Sequence, residues 1–288
     1  MSFEHAGTGG IGGISEQGRR WALILGASSG FGAATARALA DAGFHVFGVH
    51  LDRRATMPMA EQVVADVRAR GRDCRFWNVN AADSERRKEV MDAVEAELKE
   101  HGGEVAVLFH SLAFGALVPL VKPSRAGIGA PDGPASPVVT QKQLDMTLDV
   151  MANSLVYWAQ DLVGRGLMCR GVRIFAMTST GSRQVSPAYG VVSAAKAALE
   201  AHCRQLAYEL LERGITANSI CAGVTDTPAL RKIPGHDVLI AKSRAKSPIG
   251  RLTEPEDVGD AVAALCDPRL HWLTGNVLGV HGGEEVIG

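Results

Sequence analysis

Short apolar runs alternate along this chain with longer segments in which apolar residues recur at helical spacing. Such alternation is typical of a parallel sheet whose strands are buried on both faces by helices. It predicts an α/β, doubly wound, Rossmann-type fold of about seven strands. The predicted strands lie near residues 21–26, 45–50, 74–79, 105–110, 172–178, 216–221 and 276–280.

Two segments break this alternation. Residues 119–137 contain five prolines, which exclude a regular helix or an interior strand. So long an excursion is either a functional loop or a disordered insert, and both interpretations stay open. Residues 228–248 mix proline, glycine and charge with apolar positions after the sixth strand. We expect a helical lid over a substrate cleft there.

The glycine-rich residues 1–19 predict a flexible tail ahead of one domain over residues 20–288.

With 30 basic and 31 acidic side chains, the charge balance gives no reason to expect nucleic acid or a membrane as partner. Five scattered cysteines form no Cys-x-x-Cys pair, the histidines lack ligand spacing, and no apolar run is long enough for a membrane span. We therefore expect a cytoplasmic protein without a metal site that acts on small molecules.

The first predicted strand ends in a glycine-rich turn that opens a helix. Strand, turn and helix in this order expose backbone N–H groups at the positive end of a helix dipole, where a pyrophosphate can lie. The spacing alone is a weak signal, but its place after the first strand predicts a dinucleotide site. The turn residues expected to bind it are Gly26, Ser28, Ser29, Gly30, Phe31 and Gly32.

A tyrosine and a lysine, Tyr189 and Lys196, open a long predicted helix near the middle of the chain. Together with the glycine turn, they resemble the short-chain dehydrogenase/reductase family from about Arg20 to the C-terminus. Most members of that family place the tyrosine four residues before the lysine, where this chain has Val192. The resemblance implies that NAD or NADP binds in the single domain.

The seven-residue step from Tyr189 to Lys196 resembles the enoyl-acyl-carrier-protein reductase branch of that family. His110, Ser111 and Leu112 begin a segment similar to one that this branch carries after its fourth strand. The resemblance implies reduction of an enoyl thioester in fatty-acid synthesis. The expected partners are an acyl thioester, carried on coenzyme A or an acyl carrier protein, and further copies of the chain in a dimer or tetramer.

The spacing has a physical meaning. On a helix, a step of seven residues instead of four places the tyrosine about 4.5 Å farther from the lysine along the axis, on nearly the same face. A ketone accepts hydride on the carbon that bears the oxygen, whereas an enoyl thioester accepts it two bonds from the carbonyl carbon. We expect Tyr189 to donate a hydrogen bond to the thioester oxygen. Lys196 is expected to hold the nicotinamide ribose hydroxyls.

Ser179 keeps a second reaction open. It lies seventeen residues before Lys196, where other family members place a catalytic serine and many enoyl reductases have an aromatic residue. It is either a catalytic residue or an ordinary turn residue, and it favours the alternative of a carbonyl reductase or alcohol dehydrogenase. A non-catalytic dinucleotide-binding regulator is a third alternative, which the presence of both Tyr189 and Lys196 opposes.

The remaining cofactor contacts follow the ends of the predicted strands. His50 stands where NAD enzymes of the family commonly have an aspartate, and the basic residues Arg53 and Arg54 favour NADPH over NADH. Asp52 and Ser29 favour NADH, so the cofactor preference stays open. Asn78 and Val79 are the expected adenine contacts. The resemblance implies that Val224 backbone groups and the Thr227 hydroxyl hold the nicotinamide carboxamide. The other cofactor contacts expected after the strands are His110, Ser111, Leu112 and Gly223.

Overall fold

The computed structural model describes residues 18–122, 137–233 and 235–286. In these ranges seven strands form one parallel sheet in the order β3-β2-β1-β4-β5-β6-β7. This arrangement confirms the predicted doubly wound α/β fold. The strands are β1 (Arg20–Leu25), β2 (His45–His50), β3 (Cys74–Asn78), β4 (Glu104–His110), β5 (Arg173–Thr178), β6 (Thr216–Ala222) and β7 (Val277–Val280).

Helices cover both faces of the sheet. Along β1, Trp21, Leu23 and Leu25 belong to one apolar core, which α3, α5 and α6 cover, and Ala22 and Ile24 belong to a second core under α1, α2 and α8. A short π-helical segment, Asp149–Asn153, joins α4 to α5. The helices in the described ranges are α1 (Gly30–Asp41), α2 (Met57–Ala69), α3 (Ser84–His101), α4 (Gln141–Leu148), α5 (Ser154–Gly164), α6 (Gly190–Leu210), α7 (His236–Lys246) and α8 (Pro255–Leu265).

The element boundaries follow local signals in the sequence. Helix α3 begins where the Asp83 carboxylate accepts the N–H groups of Glu85 and Arg86, at 3.1 and 3.0 Å. It ends at Gly102, which has a φ of 72°. A carboxylate in this position caps the first N–H groups of the helix, and glycine tolerates the turn that stops it.

The structure describes only the ends of the first irregular segment, residues 119–137, but nearly all of the second, residues 228–248. Most of the predicted insert, residues 123–136, lies outside the described residues, but its two ends meet, since Val139 donates its N–H to the Pro119 carbonyl at 2.9 Å. Helix α7 lies within the predicted lid and presents Val238, 69% exposed, to solvent. Across the described ranges, no helix combines the length and apolar character needed to cross a membrane.

The order of the strands fixes where a ligand can bind. The chain runs outward from β1 to β3 on one side and from β4 to β7 on the other. Crevices in such sheets open at the carboxyl ends of the strands where this order reverses, here between β1 and β4. The residues that follow these two strands are therefore the first candidates for a site.

The central strand β4 offers a test of the core. Leu108 is fully buried in the centre of β4, so Leu108→Ala should lower the free energy of unfolding by about 2–5 kcal/mol. Leu51→Ala removes the same atoms from a side chain that is 63% exposed and should change stability by less than about 0.5 kcal/mol. Urea unfolding followed by circular dichroism measures both. Equal losses would contradict the placement of Leu108.

Candidate active site

The turn after β1 is built for close approach of a ligand to the backbone. Gly26 has a φ of 89°, and a side chain there would overlap the Ser111 carbonyl oxygen. A side chain on Gly32 would overlap the Gly26 carbonyl oxygen. The turn can therefore form only with glycine at these two positions, and it leads directly into the N-terminus of α1.

The loop after β6 lies over this turn. The Thr227 methyl group would be 3.4 Å from a Cβ placed on Gly30, so the two predicted cofactor segments face each other. The Thr227 hydroxyl accepts the Leu230 N–H at 3.2 Å and keeps its own hydrogen free to donate. The Val224 N–H donates to the Glu284 carboxylate at 3.0 Å. The contact of Val224 with a nicotinamide carboxamide stays a prediction.

The end of β2 places an acidic side chain beside the glycine turn. His50 is buried, and its Nδ1 lies 2.8 Å from a carboxylate oxygen of Asp52. Burial raises the pKa of Asp52, but hydrogen bonds with the Ser28, Thr56 and His50 side chains outweigh it and hold the pKa below its usual value. Asp52 is therefore ionised at neutral pH, and it is the carboxylate, not His50, that faces Ser28.

The other predicted adenosine contacts are arranged around Asp52. The Asn78 amide accepts the Asp52 N–H at 2.8 Å and donates to the Asp52 carbonyl at 2.9 Å. This side chain thus fixes the loop after β2 instead of pointing freely at a ligand. Val79 extends the hydrogen bonding between β2 and β3, because its N–H donates to the His50 carbonyl at 2.8 Å. Arg53 and Arg54 are exposed.

Lys196 is buried at the carboxyl ends of the central strands. Its Nζ donates to the Met177 carbonyl at 2.7 Å and to the Leu112 carbonyl at 3.3 Å. Burial lowers the pKa of Lys196 to about 8, although the Glu200 carboxylate raises it in part. The side chain is therefore mostly an ammonium ion at neutral pH and loses its proton at moderately alkaline pH.

His110 supports the site from beneath and does not line it. Its side chain is fully buried, and its Nε2 lies 2.9 Å from the Ser154 hydroxyl, which in turn donates to the Val150 carbonyl. Burial first, and then the charge of Lys196, lower the pKa of His110 to about 3. The imidazole is neutral, and its side chain cannot contact a cofactor as the sequence suggested. Ser111 and Leu112 do lie against the turn at Gly26.

Tyr189 and Ser179 meet at the start of α6. The Tyr189 and Ser179 hydroxyl oxygens are 3.4 Å apart. Burial raises the pKa of Tyr189, which the hydrogen bond with Ser179 offsets in part. Tyr189 is the residue just before α6, yet its carbonyl accepts the Ser193 N–H at 2.8 Å. It therefore follows the helical geometry that the seven-residue step assumes.

The backbone around Tyr189 is shaped for this contact. Ala188 has a φ of 57°, a conformation that costs a non-glycine residue roughly 1–3 kcal/mol. A side chain on Gly181 would overlap the Tyr189 ring and lie 3.1 Å from the Ser179 hydroxyl. The strained turn and the missing side chain together let the phenol reach Ser179.

Val192, four residues before Lys196, is part of an apolar cluster. It is buried in one cluster with Met151 and Ala195, and Tyr189 packs against this cluster. The chain has three tyrosines. Tyr157 donates to the Asp149 carboxylate at 2.7 Å, and Tyr208 is 80% exposed. Tyr189 is thus the phenol that the structure brings to the site.

A family comparison agrees with this geometry. The family model described as "Enoyl-(Acyl carrier protein) reductase" matches residues 26–285, which is most of the chain. The protein belongs to the short-chain dehydrogenase/reductase family. It is an oxidoreductase of this family, and the resemblance that the glycine turn, Tyr189 and Lys196 indicate is confirmed.

Individual relatives within the family differ in their reactions. The chain is 29% identical over 191 residues to the enoyl-(acyl-carrier-protein) reductase (NADH) of Aquifex aeolicus, covering 66% of each chain. It is 28% identical to an NADPH-dependent aldehyde reductase-like chloroplastic protein of Arabidopsis thaliana, covering 92% of this chain and 93% of the relative. A solved promiscuous reductase that catalyses keto-reduction at C1 during lugdunomycin biosynthesis has a TM-score of 0.76 and 28% identity, covering 93% of this chain and 98% of that one.

Three residues that were not among the predicted site residues also shape the site: Gly181, Glu200 and Glu284. Gly181 and Glu200 were accessible to sequence reasoning, since one follows Ser179 by two residues and the other follows Lys196 by one helical turn. Glu284 is 60 residues from its partner Val224, and no local pattern connects the two. No group of three potential metal-binding side chains occurs in the described part of the chain.

The glycine turn can be tested without substrate. Gly32→Ala should weaken NADH binding roughly tenfold or more, because the added methyl group overlaps the Gly26 carbonyl and displaces the turn. Gly164→Ala is the control, since a side chain at this position in α5 meets open space. NADH fluorescence titration measures binding, and circular dichroism shows whether the fold persists. Normal NADH affinity in Gly32→Ala would exclude the turn as the binding site.

Proposed function

We propose that this protein is an NAD(P)H-dependent reductase that delivers hydride to the β-carbon of an enoyl thioester. The supporting observation is the place of the phenol. Tyr189 lies at the start of α6, seven residues before Lys196, whereas the usual tyrosine position is occupied by the buried Val192. A phenol displaced along the helix suits an acceptor carbon that is separated from the oxygen to be stabilised.

The residues present fit a nicotinamide dinucleotide. The N-cap residue Ser29 makes no side-chain hydrogen bond to the start of α1, so the first N–H groups of this helix suit a pyrophosphate. The Thr227 side chain lies over the same turn. The Lys196 ammonium lies farther along the same edge of the sheet. NAD(P)H bound across these elements supplies the hydride.

The roles of the chain's own residues follow from their charge states. The raised pKa of Tyr189 keeps the phenol protonated at neutral pH, so that it donates a hydrogen bond to the thioester oxygen as negative charge builds up there. Lys196 contributes a positive charge in a site of low dielectric constant, where its effect is strong. A proton added at the α-carbon completes the reduction.

One observation favours a second reaction. Ser179 approaches the Tyr189 hydroxyl at 3.4 Å, so that two hydroxyl groups converge at one point. Two converging donors suit the single oxygen of a ketone or aldehyde, and reduction of such a carbonyl group is the second candidate function. Under enoyl reduction, Ser179 serves to orient the phenol.

A substrate panel separates the two reactions. A short enoyl thioester and a set of ketones and aldehydes should be compared by NADH and NADPH oxidation. We expect the enoyl thioester to be turned over with the higher kcat/KM. Tyr189→Phe should reduce its kcat by about 10²-fold or more and leave the dissociation constant of the cofactor unchanged. Reduction of carbonyl compounds alone would refute the enoyl proposal.

Ser179→Ala sharpens the distinction. With an enoyl thioester, most of the turnover should remain, because Tyr189 alone donates to the oxygen. If Ser179→Ala removes turnover as completely as Tyr189→Phe, the second function is supported instead. Normal turnover of every substrate by Tyr189→Phe would favour a dinucleotide-binding protein whose phenol takes no part in a reaction.

The charge beside Ser28 favours NADH over NADPH in this proposal. Asp52 is ionised and lies next to the glycine turn at the end of β2, where the adenosine ribose of a bound dinucleotide is expected. A carboxylate accepts hydrogen bonds from ribose hydroxyls and repels a 2′-phosphate. Arg53 and Arg54 follow Asp52 in the chain and are exposed to solvent. They are the residues from which the sequence favoured NADPH.

Asp52→Ser tests the cofactor preference. Removing the carboxylate should raise the ratio of kcat/KM with NADPH to that with NADH by roughly tenfold, since the repulsion of the 2′-phosphate is lost. Asp260→Asn removes the same charge from an exposed position on α8 and should leave the ratio unchanged. An unchanged ratio in Asp52→Ser would show that this carboxylate does not select the cofactor.

A further inference from the structure

A second buried charge lies one helical turn beyond Lys196. Glu200 is only 7% exposed, and the residues directly before and after it, Leu199 and Ala201, offer no partner for a carboxylate. A buried ionised group must be paired or hydrogen-bonded to persist. The contacts of Glu200 therefore indicate what it does.

Glu200 and Lys196 contact consecutive residues at the end of β5. The Thr178 hydroxyl donates to the Glu200 carboxylate at 2.7 Å, and Lys196 donates to the Met177 carbonyl at 2.7 Å. Thr178 is the last residue of β5, and Ser179 follows it directly. Helix α6, which begins just after Tyr189, is thus attached at two neighbouring points to the strand end that presents Ser179.

The charged surroundings of Lys196 give Glu200 a second role. From its own helix Lys196 faces the Glu200 carboxylate, from β4 it faces the neutral His110, and from the strand ends it faces only carbonyl oxygens. The Tyr189 phenol at the start of α6 is also neutral. Among these groups, Glu200 is the one that stabilises the ammonium form of Lys196 by charge.

The thiols nearest to Glu200 are neutral and do not oppose its effect on Lys196. Burial raises the pKa of both neighbouring thiols to about 11, that of Cys203 on α6 and that of Cys221 on β6, so both are neutral. The charges of Arg204 and Arg183 lower the pKa of Cys203 and of Cys221 respectively, and the Glu200 carboxylate raises both. Within the site, the Glu200 carboxylate acts on Lys196 and raises the pKa of its ammonium group.

We propose that Glu200 is a positioning residue of the reductase site, which keeps Lys196 charged and, through Thr178, fixes α6 against the strand end that carries Ser179. The inference rests on the proposed function, since it assumes that the charge of Lys196 serves cofactor binding and turnover. Glu200 thus has two effects, one on the charge of Lys196 and one on the position of α6. Different substitutions test the two effects separately.

Glu200→Gln removes the charge and keeps an oxygen acceptor for Thr178. Without the carboxylate, Lys196 releases its proton at lower pH. The alkaline limb of NADH affinity and of kcat/KM should therefore move to lower pH by about one pH unit. Glu209→Gln, which makes the same change at an exposed position of α6, should leave both profiles unchanged.

Thr178→Val tests the geometric effect. It removes the hydrogen bond to Glu200 and leaves the carboxylate in place, so the midpoint of the alkaline limb should stay at the wild-type pH while kcat falls. Glu200→Asp keeps the charge on a shorter side chain and should shift the midpoint less than Glu200→Gln, in the same direction. It replaces Glu200→Gln if circular dichroism shows that the glutamine variant does not fold.

The outcomes distinguish this inference from the proposed function. Lys196→Met should weaken NADH binding and abolish the alkaline limb; if it does neither, the proposed role of Lys196 is wrong. If Lys196→Met has these effects but the midpoint of the folded Glu200 variant equals that of wild type, only the role of Glu200 is overturned. An equal shift in Thr178→Val and Glu200→Gln would also overturn it, because geometry alone would then explain the profile.

Discussion

The burial of one ammonium group, that of Lys196, is the constraint on which the site depends. An isolated charge inside a protein is costly unless polar groups replace the water it has lost. Here two backbone carbonyls, of Met177 and Leu112, provide part of that replacement. Met177 lies at the carboxyl end of β5 and Leu112 lies just after β4, so two neighbouring strands of the parallel sheet place the oxygen atoms that receive the charge.

This arrangement explains why the site joins elements far apart in the sequence. Leu112 is separated from Lys196 by 84 residues, and Glu284 is separated from Val224 by 60. Each contact connects a loop at the carboxyl edge of the sheet with another loop or helix there. The central strands are parallel and almost fully buried on both faces. Their carboxyl ends therefore lie side by side at this edge, and the residues of the site gather there.

The features that could be predicted from the sequence are those encoded by neighbouring residues. Apolar runs predicted the strands, the glycine spacing predicted the turn after β1, and the step from Tyr189 to Lys196 predicted a phenol near the start of a helix. The orientation of individual side chains could not be predicted in the same way. Strand β2 is buried on both faces, so alternation gives no signal that His50 points inward and that Asp52 faces the turn.

The partners of buried polar side chains could not be predicted from the sequence either. His110 and Glu200 belong to residue types that usually lie at the surface, and nothing in their immediate neighbours shows that each has a partner from a distant element. Ser154 lies 44 residues from His110, and Thr178 lies 22 residues from Glu200. Such pairs become visible only once the sheet order brings the strand ends together.

The hydrogen bond between the Val139 N–H and the Pro119 carbonyl has an evolutionary consequence. It closes the excursion between β4 and α4 at its base, so that the chain departs and returns at a single point. The entropic cost of closing a loop grows only slowly with its length. Insertions and deletions between Pro119 and Val139 therefore cost little free energy of folding as long as this hydrogen bond forms, so evolution can vary the length of the chain at this point.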